Sequence, residues 1–87
     1  MPYIKPELRK MLDKPLHDLW DTLSELSTMD LAGGFTYVVY SMLKRCFAGK
    51  FFLRALGIGC MVCAVLEWYR KSCAPYEDEK ERENGSV

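Results

Sequence analysis

The run Phe51-Phe52-Leu53-Arg54-Ala55-Leu56-Gly57-Ile58-Gly59-Cys60-Met61-Val62-Cys63-Ala64-Val65-Leu66-Glu67-Trp68-Tyr69-Arg70-Lys71-Ser72-Cys73 carries the architecture of this chain. One apolar row, Phe51, Ala55, Ile58, Val62, Val65 and Tyr69, repeats at helical spacing. A second row, Phe52, Leu56, Cys63 and Leu66, makes the middle apolar all round. A helix that is apolar on every side has to be covered on every side. Such a helix is about 34 Å long at 1.5 Å per residue. Gly57 and Gly59 each weaken helix propensity by about 1 kcal/mol relative to Ala. They make sense where two backbones approach closely. The longest uncharged stretch, residues 55–66, falls short of the roughly 20 apolar residues a membrane span needs, so a buried helix is expected and no membrane partner.

Moving outward, Pro75 is expected to end this helix, and the acidic run from Glu77 to Glu83 to form at most a solvated turn stopped by Asn84-Gly85. Upstream, Phe35, Val38, Val39, Met42, Cys46 and Phe47 predict a helix over 35–47, with Lys44 and Arg45 at its negative end and Gly49 as its cap. Residues 27–34 read as a linker broken by Gly33-Gly34. Leu16, Leu19, Trp20, Leu23 and Leu26 give the clearest amphipathic helix. Before it, Pro6 and Glu7 start a short helix that Asp13-Lys14-Pro15 interrupts. The expected fold is an all-α, compact bundle of three to four helices, with residues 1–76 as one domain and 77–87 as an acidic tail.

The chain has 87 residues, and a domain of this size buries only roughly 60–65 % of its unfolded surface. Three short helices barely cover the fourth. We therefore expect a homo-oligomer, with Phe51, Phe52, Ala55, Leu56, Ile58, Gly59, Val62 and Val65 at its interface.

Net charge is zero, which argues against a nucleic-acid binder. The zero is a cancellation. Residues 1–30 hold six acids and four bases, residues 31–76 one acid and six bases, and residues 77–87 five acids and two bases. A basic middle thus lies between acidic ends. Four cysteines stand in a chain whose N-terminus has no apolar leader, so a reduced, cytoplasmic setting is expected.

No residue pattern marks an enzyme. Cys60 and Cys63 lie mid-helix in an apolar run, where small buried hydrophobes are the plain reading and no second pair completes a zinc site. His17 has no nucleophile at a telling spacing, only Asp21 four residues on. Gly57-x-Gly59 lacks the rest of a dinucleotide fingerprint. No metal or cofactor is expected. The lead is the basic middle. Tyr37, Tyr40, Lys44, Arg45 and Arg54, with Trp68, Arg70, Lys71 and Tyr76, combine rings that stack a base with cations that hold a phosphate. The plain alternative is that the rings are core or interface and the cations pair with the acidic tail.

Pro2-Tyr3-Ile4-Lys5 at the start, Thr36-Tyr37 before the central helix, and Glu67-Trp68-Tyr69-Arg70-Lys71, Ala74-Pro75-Tyr76-Glu77-Asp78-Glu79-Lys80 and Glu83-Asn84-Gly85 at the end resemble a family of small uncharacterised phage, prophage and bacterial proteins. The chain departs from that pattern at Val62 and Val65, where polar residues are expected, and in its Ser86-Val87 ending. The resemblance implies a phage or mobile-element setting inside a bacterial host and supplies no enzyme activity. The expected role is a non-enzymatic accessory protein. One version is a counter-defence oligomer that sequesters a small nucleotide-type anion. A second blocks a host defence or regulatory protein, and a third is a structural virion component.

Overall fold

Pro6, with no N–H to lose, and Glu7, facing the positive end of the dipole, open the first helix as expected. The computed structural model describes residues 3–86; Pro2 of the N-terminal motif and Val87 of the C-terminal one lie outside them. Helix α1 runs Pro6–Ser24 without the expected interruption, with Pro15 inside it. Pro15 has no N–H for the Met11 carbonyl. That turn is open to solvent, with Met11 71 % exposed, so water can take the freed acceptor.

Helix α2 spans Thr28–Cys46 and starts well before the expected Phe35. The Ser27 hydroxyl caps it, accepting from the Asp30 N–H at 3.3 Å. Gly33-Gly34 does not break the chain but sits inside the helix. The reason lies at Gly34, where an added Cβ would stand 3.2 Å from Leu26 Cδ1 and 3.6 Å from Leu23 Cδ2. The glycine lets α2 approach the end of α1 closely. Gly49 then turns the chain at φ 104°, a left-handed conformation that favours glycine.

Helix α3 covers Phe51–Asn84, 34 residues, and therefore runs past the expected stop. Pro75 does not end it. A π-helical turn at Tyr69–Cys73 precedes the proline, and the Ala74 N–H bonds the Tyr69 carbonyl five residues back. The widened turn eases the clash a proline ring makes with the preceding turn of an α-helix. The acidic segment continues as helix to Asn84, and Gly85, at φ 87°, closes it.

Two units divide the described residues, 3–57 and 58–86. In the first, Leu19, Leu23, Val38, Val39, Leu43, Phe47 and Leu53 are half-buried, and Gly57 is the one fully buried residue. An added Cβ at Gly57 would stand 3.0 Å from Phe47 Cγ, 3.1 Å from Phe47 Cβ and 3.2 Å from Leu43 Cδ2. In the second, Cys60, Met61, Cys63, Glu67, Ser72, Cys73 and Ala74 are half-buried. The four cysteines are free thiols. Among the described residues there are three helices and no strand, an all-α architecture compatible with a helical bundle. The expectation that α3 is covered all round is not met within one chain: no large apolar side chain among the described residues is buried.

Candidate functional site

The spacing of Tyr37, Tyr40 and Lys44 on α2 places two phenol rings and an ammonium on one helical face, on successive turns. Both rings are open, Tyr37 at 71 % and Tyr40 at 63 % exposure, and Lys44 is exposed. Arg45 follows directly and so falls about 100° round the helix from Lys44. Lys44 and Arg45 end α2, where the last carbonyls are negative, and Lys50 stands in the turn beyond. No carboxylate forms an ion pair with Lys44, Arg45 or Lys50 among the described residues.

Arg54 belongs to the turn itself. Its Nε–H donates to the Gly49 carbonyl at 2.9 Å and ties the first turn of α3 to the left-handed glycine. Its role is at least partly structural.

The remaining candidates lie in the second unit. Trp68 is 66 % exposed and ends the regular part of α3. Arg70 is held by Glu67 at 2.7 Å, an ion pair with a half-buried carboxylate. Lys71 is exposed in the π-helical turn. Tyr76 is exposed, with Lys80 Nζ 5.6 Å above its ring. Glu77 was not among the candidates, yet it hydrogen-bonds the Tyr69 hydroxyl. That bond, and then the carboxylate's charge, raise the Tyr69 phenol above its ordinary value. The signal available in the sequence was their spacing of two helical turns, hidden by the assumption that Pro75 ended the helix.

Part of the acidic segment is paired locally. Lys80 pairs with Glu83 at 3.3 Å, Arg82 pairs with Glu79, and the Ser86 hydroxyl donates to Glu81 at 3.0 Å. These pairs do not draw on the basic middle.

His17 lies on α1, 5.5 Å from the Trp20 ring centre and 3.5 Å from Asp21. His17 and Trp20, with Asp13, Lys14 and Leu16, line an open groove on that helix. Both side chains of the His17–Asp21 pair are solvent-exposed. No three of His, Cys, Asp or Glu cluster as a metal site among the described residues.

The eight residues expected at an oligomer interface, Phe51, Phe52, Ala55, Leu56, Ile58, Gly59, Val62 and Val65, are all exposed. The helix that carries them has a mean hydropathy of 1.7 over its most apolar window and is 6 % buried there. It is long and apolar enough to cross a membrane by length and composition.

Neither the curated proteins nor the solved structures hold a match to this chain. Over residues 1–87 it matches the family described as a domain of unknown function, DUF6899. On that match, which takes in both terminal motifs and every element described above, the chain belongs to the DUF6899 family.

Proposed function

We propose that this protein is a non-enzymatic, self-assembling binding protein that holds a small anionic, nucleotide-type ligand in a bacterial cytoplasm, as a phage-type accessory factor. The observation that carries the ligand is the α2 face. Tyr37 and Tyr40 present open rings beside Lys44, at a helix end that adds Arg45 and Lys50 and no acid. A base stacks on a phenol ring, and a phosphate takes ammonium and guanidinium donors. Within the chain, Lys80 and Arg82 take Glu83 and Glu79 of the acidic segment, and no carboxylate pairs with Lys44, Arg45 or Lys50 among the described residues. Arg54 is already engaged with the Gly49 carbonyl, so it contributes field more than direct contact.

The test is thermal unfolding with a panel of mono-, di- and cyclic nucleotides. A ligand in hundredfold excess over its Kd stabilises the chain by about 2.7 kcal/mol. Tyr40→Ala and Lys44→Ala abolish the gain while leaving the unliganded midpoint unchanged. A panel without any shift refutes the reading. Stoichiometric capture of a host protein with no nucleotide response would instead support a protein–protein inhibitor.

A further inference from the structure

One face of α3 is built for another helix. Phe51, Ala55, Ile58, Val62, Val65 and Tyr69 follow steps of four, three, four, three and four, the 3.5-residue repeat of a coiled-coil seam. Phe51 is 82 % exposed, Ile58 66 % and Val65 58 %. The buried Gly57 and the half-buried Leu53, Cys60 and Glu67 fall on the other side of the same helix. The seam is therefore left open by the chain's own packing.

We propose that this seam pairs with the same seam of a second copy, antiparallel. Antiparallel coils stack each first core position against the other kind across the pair. With all six positions paired, that rule fixes the register here: Ile58 faces Val62, Ala55 faces Val65, and Phe51 faces Tyr69 of the second copy. Each layer then joins residues whose numbers add to the same total, so the six positions close on themselves about one two-fold axis. The axis passes at the level of Cys60, which stays outside the seam. Gly59, where an added Cβ would meet nothing within 4 Å, lies next to the axis and lets the two backbones approach.

Charge selects the direction. In a parallel pair the acidic segments 77–83 would lie side by side, five acids against two bases in each. In the antiparallel pair the two acidic segments lie at opposite ends of the seam, clear of one another. Arg54 of one copy also flanks Trp68 of the other, a cation–π arrangement. The partner chosen by this pattern is a second copy of the chain rather than a lipid or an unrelated protein.

The inference rests on the oligomeric part of the reading above and not on its ligand. Light scattering on the full chain should give a mass of twice 10.1 kDa. The double substitution Ile58→Asp/Val62→Asp should halve it with helical circular dichroism retained. Direction is read by disulfide trapping in a full chain with its four cysteines changed to serine. Phe51→Cys with Tyr69→Cys should give a covalent dimer. Phe51→Cys alone should give none, since the two sites then lie about 27 Å apart along the seam. A monomer at all concentrations overturns the pairing, and a covalent dimer through Phe51→Cys alone overturns the direction. Flotation with phosphatidylcholine–phosphatidylglycerol vesicles overturns it in favour of a lipid surface. A dimer that ignores nucleotides leaves this inference standing and sinks the ligand; a monomer that binds them does the reverse.

Discussion

Changing Gly57 and Gly59 to alanine, one at a time, separates the two sides of α3. The chemical change is identical and the two sites are half a turn apart on one helix. Each alanine gains about 1 kcal/mol of helix propensity. At Gly59 nothing lies within 4 Å of the new methyl, so that gain is kept in the isolated chain. At Gly57 the methyl meets Phe47 Cβ at 3.1 Å and Phe47 Cγ at 3.0 Å. Neither atom is the free end of a flexible side chain, so the α2–α3 turn itself has to give. Overpacking of this kind costs about 1–3 kcal/mol, which outweighs the propensity gain. We expect Gly57→Ala to lose about 1 kcal/mol and Gly59→Ala to gain up to about 1 kcal/mol. Urea unfolding followed by circular dichroism measures the gap, with an unchanged slope as the check that only stability moved. Runs at several protein concentrations remove the contribution of assembly. Equal stability of the two variants, or a more stable Gly57→Ala, would refute the packing described at Phe47.

Further outcomes follow from the same reasoning. Ser27→Ala should cost about 1 kcal/mol, because the Asp30 N–H loses its cap; thermal unfolding checks it. Pro15→Ala should stabilise the chain by up to about 3 kcal/mol by returning a donor to the Met11 carbonyl, seen as a raised urea midpoint. Tyr69 should ionise at higher pH than a free phenol, and Glu77→Gln should lower that pH; phenolate absorbance against a Tyr69→Phe control reads it. The folded value lies above the unfolded one, so this contribution to stability is complete below the ordinary phenol range. It is lost as pH rises through the folded value.

The apolar row of α3 was legible because a run from Phe51 to Tyr69 leaves no other period to read. What the row faces was not, since that depends on what else the chain brings to it. Three element boundaries were misread for one reason. Local propensity reads Pro15, Gly33-Gly34 and Pro75 as breaks. Propensity loses when water satisfies a freed carbonyl, when a neighbouring helix needs a glycine to come close, or when a π-helical turn makes room for a ring. Of the candidate site, the α2 face of Tyr37, Tyr40 and Lys44 was readable from spacing alone. The engagement of Arg54 with Gly49 was not, because it depends on the left-handed turn that brings a carbonyl back toward the guanidinium. Glu77 escaped notice because its bond to Tyr69 exists only if the helix runs on through the proline.

The ion pairs of Lys14 with Asp18, Arg70 with Glu67, Lys80 with Glu83 and Arg82 with Glu79 each join residues on one helix. Such pairs form as readily in a lone helix as in a finished fold. They leave the choice of neighbour to shape, at the notches of Gly34 and Gly57. The surface charges of α1 are thus free to change without unmaking the fold. A single methyl at either notch is not. In kinetic terms, helices held by neighbours a turn away form early and fast, and the slow step is left to the two glycines that decide which helix meets which.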